Sequence, residues 1–299
     1  MKTGPRRHLI LLLFLACWQA SPAHATPAQE PLKLGFYLPA IRDVNQADLK
    51  ISLGVWVTEI GKPLGLTVTT TTYDDIAAMR QALDRAEMNF FSGPGMELAE
   101  VFTPGEIRSG YARRIVGTDE GIALLVSNTS GIKSFADLRN KRISRLSNDR
   151  LSDTFLEVQC IKSAGMACRD FLQMKEEKRD IQSVYNVFFG RADAALVSLA
   201  TLRTAIELNP QVGQRLHVLL DWKAKALMFG MMTQHTQDSY RNLILHSVAE
   251  VMKTPRGRQI LEMFKTDYLE PVDADALKPY WALLREYQEL RRVGMTRKK

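Results

Sequence analysis

From Leu32 onward, short apolar or β-branched runs alternate with stretches whose apolar residues recur every three or four positions. That alternation predicts strand–helix–strand units and largely parallel sheets. Leu32–Pro39 reads as a first buried strand. A helix is predicted over about Asn45–Lys62, with Leu49, Leu53, Trp56 and Ile60 on one face and Gly61 and Pro63-Leu64-Gly65 as its stop. Leu66–Tyr73 is β-branched and reads as a strand. Asp74 is expected to cap a helix that points Ile76, Met79 and Leu83 inward. Met88–Ser92 is a third strand, running into Gly93-Pro94-Gly95, and Tyr111–Val116 and Gly121–Ser127 are two more.

A second set follows. Lys141–Leu146 reads as a strand, and Ser152–Ala164 as a helix capped by Ser152 or Asp153 and stopped by Gly165. Phe171–Glu176 is a candidate strand. Ile181, Val184 and Phe188 mark the inner face of a helix ending at Gly190. Ala192–Leu199 is a buried strand, followed by a helix to Asn209-Pro210. Lys225–Thr233 is a strand leading back to the first set, and Ser239–Tyr287 reads as mostly helical with a break near Glu270-Pro271.

The first residues bear on compartment. Lys2, Arg6 and Arg7 precede the apolar run Leu9–Trp18, and Ala23-His24-Ala25 offers a small-x-small cleavage site. That order reads as a secretory signal peptide over residues 1–25, the run being shorter than the roughly 20 apolar residues of a spanning helix. A retained anchor, or lipidation at Cys17 through the imperfect motif Phe14-Leu15-Ala16-Cys17, is the alternative. Losing the segment removes three Lys/Arg and no acid, so net charge falls from +7 to about +4. With no zinc-finger spacing and no dense basic stripe, this argues against nucleic-acid binding. Residues 291–299 read as a solvated basic tail.

An exported chain meets an oxidising compartment, so Cys160 and Cys168 read first as a disulfide. The histidines His217, His235 and His246 lack metal-ligand spacing, and Met228, Met231 and Met232 read as strand core. No nucleophile elbow, zinc-protease helix or dinucleotide fingerprint is present, so no catalytic residue and no cofactor are expected.

Three stretches carry a resemblance. They are LKLGFYLP (Leu32–Pro39) with MNFFSGPGMEL (Met88–Leu98), GIKSFADLRNKRIS (Gly131–Ser144), and VFFGRADAALV (Val187–Val197). In order and spacing they resemble the PhnD-like phosphate/phosphite/phosphonate-binding proteins that serve ABC transporters, with Asn89 where that family usually has Asp. The resemblance implies an α/β, type II periplasmic-binding fold of two lobes joined by a two-segment hinge. Lobe 1 would comprise residues 31–119 plus 225–290, and lobe 2 residues 120–223. It further implies a periplasmic, monomeric solute-binding protein that delivers a small polar ligand to an ABC permease. An accessory or sensory protein acting with a membrane kinase or a periplasmic enzyme is the alternative.

The ligand is expected between the lobes, at loops leaving the carboxyl ends of strands. The candidate residues are Pro39, Arg42 and Asp43; Ser92, Gly93, Pro94 and Gly95; Ser147, Asn148, Arg150 and Ser152; Asp180; and Ser198 and Thr201. Each also has a plainer reading, as a turn, a helix cap or a strand end. Against the family pattern, two hydroxyl positions have become Arg150 and Leu151, a His has become Asp180, and an Asp has become Ser198. A phosphonate needs convergent donors and no unpaired carboxylate nearby, so a different polar ligand is expected.

Overall fold

The computed structural model describes residues 31–37, 39, 46–62, 65, 67–117 and 120–296. The expected signal peptide, Cys17, Arg42 and Asp43 lie outside them. The chain first lays down β1 (Leu32–Tyr37), α1 (Gln46–Gly61), β2 (Val68–Tyr73), α2 (Ile76–Asp84), β3 (Phe90–Pro94), α3 (Gly95–Val101) and β4 (Ile107–Arg114). It then crosses to a second sheet, with β5 (Glu120–Ser127), β6 (Arg142–Leu146), α4 (Arg150–Ala164), α5 (Cys168–Phe171), β7 (Gln173–Glu177), α6 (Asp180–Phe188), β8 (Ala194–Ser198), α7 (Leu199–Leu208), α8 (Gln211–Arg215) and β9 (Leu216–Ala224). It returns through β10 (Met228–Thr233), α9 (Asp238–Lys253), α10 (Pro255–Met263), β11 (Tyr268–Asp273) and α11 (Lys278–Thr296).

The two sheets run β11-β4-β10-β3-β1-β2 and β7-β6-β8-β5-β9. Each is parallel at one end, where β1 pairs with β2 and β3, and β6 with β7 and β8. Each is antiparallel at the other, because the strands that carry the chain between sheets, β4 to β5 and β9 to β10, run against their neighbours. This is the two-lobed, type II periplasmic-binding architecture.

One face of the first sheet (Leu32, Leu34, Phe36, Phe90, Tyr111, Met232) packs on Leu49 and Leu53 of α1 and on Ile244 and Val248 of α9. The opposite face, with Phe91, Ala112 and Met231, belongs to a larger cluster. That cluster joins Leu98 of α3 and Tyr280 of α11 to Leu151 and Phe155 of α4. Apolar packing is therefore continuous from α3 and α11 to α4. Lys162 pairs with Glu286 at 2.9 Å, and Arg150 with Glu100, across the same seam.

Several local expectations are corrected. Asp75, not Asp74, caps α2, accepting from the amides of Ala77 (3.3 Å) and Ala78 (3.1 Å). A capping side chain serves the amides two and three residues on, and only Asp75 stands at those distances from Ala77 and Ala78. By the same logic Asp149, not Ser152 or Asp153, caps α4. β4 begins at Ile107 and ends at Arg114, earlier than Tyr111–Val116 at both ends. β10 begins at Met228 rather than Lys225, preceded by the unforeseen β9. The stretch Ser239–Tyr287 contains β11, whose only partner is β4. Pro271 fits there because an edge strand has one side free of ladder bonds. The last helix runs to Thr296, so Arg291 is helical, with its guanidinium 5.6 Å from the Tyr287 ring.

Gly165 ends α4 in the left-handed conformation (φ 66°) and turns the chain back. That turn brings Cys160 and Cys168 together as a disulfide, Cα to Cα 5.3 Å. Among the described residues, no helix is long and apolar enough to cross a membrane.

Candidate functional site

A cavity of about 470 Å³ opens between the lobes and runs back over the first sheet. Four helices begin at its interlobe end: α3, α4, α6 and α7 contribute Gly95 and Glu97, Asp149 and Leu151, Asp180, and Ser198 respectively. Free amides at a helix N-terminus favour anions. In this protein the chain's own oxygens take that place at α3, α4 and α7, while α6 has no side-chain cap.

At α3 the Gly95 amide donates to the Leu227 carbonyl (3.0 Å), and the Glu97 carboxylate accepts from its own amide. Gly95 is required because the Tyr280 ring lies where a Cβ would stand, 2.3 Å from its position. At α4 Asp149 accepts from the Ser152 hydroxyl (2.7 Å) and amide (3.4 Å). At α7 the Thr201 amide donates to the Ser198 hydroxyl oxygen (3.1 Å). Asp180 heads α6, directly after Arg179 at the cap, and accepts from the Ser198 amide at 2.9 Å.

The charge of this end is acidic. Burial raises the Glu97 carboxyl to about 7; its own amide opposes the shift, and Asp149 and Glu100 add to it. Burial also raises Asp180, opposed by hydrogen bonds from the Ser198 amide and the Thr201 and Ser198 hydroxyls. Two cations line the cavity among the described residues. Arg113, at the end of β4, is lowered by burial and supported by the charge of Glu120. Lys265 is solvent-exposed, beyond α10.

Of the residues expected from sequence, the cavity gathers Ser92, Pro94, Gly95, Asp180 and Ser198. Ser92 donates to the Phe229 carbonyl at 3.2 Å. Gly93 sits in β3 beside Tyr37. Thr201 and Ser152 serve the cap networks just described, Ser152 being fully buried. Pro39 and Asn148 are exposed, and the Ser147 amide donates to Glu177 (3.0 Å). Arg150 is exposed and turned to Glu100. Sequence reasoning missed Glu97, Asp149, Arg113 and Tyr280. The spacing Asp149-x-x-Ser152 was a legible capping signal; nothing in the local pattern announced the other three.

The resemblance segments have structural work of their own. Asn89 is buried, accepts from the Lys33 amide (2.8 Å) and donates to the Pro31 carbonyl (3.0 Å), which ties β3 to β1. In Gly131–Ser144, Phe135 stacks on Phe171 with centroids 5.7 Å apart.

Comparison with known proteins agrees with the fold. XAC2383 from Xanthomonas citri, in a structure bound to ATP, is 14% identical with a TM-score of 0.63, over 88% of this chain and 99% of that one. A binding protein component of an ABC phosphonate transporter from Pseudomonas aeruginosa is 13% identical with a TM-score of 0.59, over 89% of each. PhnD1 from Prochlorococcus marinus, in complex with methylphosphonate, is 16% identical with a TM-score of 0.56, over 87% and 98%. No curated protein matches the chain by sequence. Residues 40–277 match the family of periplasmic substrate-binding proteins of phosphonate ABC transporters, and that span is most of the sequence, so the chain belongs to this family.

Proposed function

We propose that the protein is exported behind residues 1–25 and acts as a non-catalytic receptor for a small polar ligand. The ligand binds between the lobes, is enclosed by motion at the β4–β5 and β9–β10 crossings, and is presented to an ABC permease. We infer further that this ligand offers a cationic group rather than a phosphonate. One observation carries the inference: the interlobe end holds three carboxyl groups, Glu97, Asp149 and Asp180, and the first amides of α3, α4 and α7 already donate to internal oxygens. A phosphonate placed there would meet like charge in a partly desolvated cleft. An ammonium group would meet compensating charge and charge-assisted hydrogen bonds.

The same departure from an anion cradle favours one other reading, a sensory or accessory receptor of this fold that signals to a membrane kinase. Adjacent permease and ATPase genes support transport; an adjacent kinase gene supports sensing. The ligand class is tested by a thermal-shift screen of the mature protein. Primary amines should raise the melting temperature, and methylphosphonate and phosphate should leave it unchanged. The reverse pattern overturns the assignment.

A further inference from the structure

The cavity does not end at the carboxylates. From Ser92 and Met228 it continues over the face of the first sheet that α1, α9 and α10 cover. Leu34 and Phe36 of β1 form its floor; Leu53 and Trp56 of α1, Val248 of α9, and Phe264 just beyond α10 form its walls. Ser92, Arg113, Lys265, Thr266 and the Tyr111 hydroxyl, which donates to the Leu245 carbonyl, are its polar exceptions. The arrangement is two-part, with carboxylates at the interlobe mouth and an apolar chamber behind.

Space among large apolar side chains forfeits dispersion contacts, so a core that could close would gain stability by closing. These side chains are otherwise well buried, with Phe36 and Leu53 at 2% exposure and Val248 at 4%, yet they face a common space. Mouth and chamber together enclose about 470 Å³, in the range of about 300–1,000 Å³ typical of pockets that enclose drug-sized ligands. A phosphonate as small as methylphosphonate would leave most of it unfilled.

We propose that the chamber is a tail site, and that the ligand is an amphiphile: an amine whose charged end stays at Glu97, Asp149 and Asp180 while its hydrocarbon or aromatic part enters between β1, α1 and α9. This deepens the reading of a cation-binding cleft and rests on it. Apolar walls around a space with few polar partners hold water poorly and accept hydrocarbon. The tail supplies the affinity, and the carboxylates fix orientation.

The test is calorimetry of the mature protein with butylamine, octylamine and octanol, each below its aggregation concentration. Each methylene buried should tighten binding about fourfold, so octylamine should bind on the order of a hundredfold tighter than butylamine. Quenching or a shift of Trp56 fluorescence should accompany octylamine. Val248→Phe fills the chamber and should bring octylamine down to the affinity that the native protein shows for butylamine. Leu53→Phe, filling from the opposite wall, repeats the test should Val248→Phe fail to melt cooperatively. Octanol binding as tightly as octylamine supports the chamber and overturns the cationic mouth. Equal affinity for butylamine and octylamine overturns the chamber and leaves the cation-binding cleft intact. No binding of octylamine overturns the inference outright.

Discussion

Glu97 is where a single residue decides most. It sits in the first turn of α3, buried at 7% exposure, and takes only its own amide as a backbone donor. Burial holds its carboxyl near 7 in the folded protein, against an ordinary value of 4.5. The folded state therefore binds a proton that the unfolded state has already lost between those two values. Stability from this group is full below about 4.5 and is lost as pH rises to about 7. The loss is on the order of 3 kcal/mol. Glu97→Gln should match the native protein near pH 4 and exceed it in stability at pH 8, read by urea denaturation at both pH values. Equal stability of the two proteins at pH 8 would contradict the burial of an ionisable group. A cationic ligand has the opposite preference, since it binds the ionised form, so its affinity should rise with pH through the same window.

At the level of elements, the disulfide joins the end of α4 to α5 around the left-handed turn at Gly165. The closed loop is short, with a sequence separation of 8. Constraining the unfolded chain by so short a loop is worth about 2.5 kcal/mol. Cys160→Ser with Cys168→Ser should lower stability by about that amount and leave ligand affinity within twofold, because neither cysteine lines the cavity. Denaturation and calorimetry on the double variant check both parts. Legibility differed from element to element for physical reasons. Strongly periodic helices such as α2 and α6, and strands buried on both faces such as β5 and β8, were readable because burial imposes a strict pattern. β9 and β11 were not. Both are edge strands, half solvated, so their patterns are mixed, and Pro271 further disguises β11. The caps were misplaced by one to four residues because several candidate Asp and Ser residues lie side by side, and only the folded geometry selects the one within reach of an amide.

Across the whole molecule, family membership and ligand chemistry part company. The segments that carry the family resemblance build core and turns: Phe135 on Phe171, Asn89 tying β3 to β1, and the run into β8. Those contacts preserve the two-sheet frame whatever the cleft holds. The cleft itself is assembled from residues far apart in sequence, with Glu97 from α3, Asp149 before α4 and Asp180 on α6 meeting only when the lobes do. That convergence was beyond the sequence, which named loops at Pro39–Asp43, Ser92–Gly95, Ser147–Ser152, Arg179–Asp180 and Ser198–Thr201 without showing which of their side chains meet. The apolar chamber was equally hidden, since its walls read as ordinary helical and strand core. Calorimetry of the mature protein with methylphosphonate and butylamine at pH 8 tests the acidic cleft most directly. Butylamine should bind measurably, and more weakly to Glu97→Gln, while methylphosphonate should show no detectable binding; sub-micromolar affinity for methylphosphonate would contradict an acidic cleft.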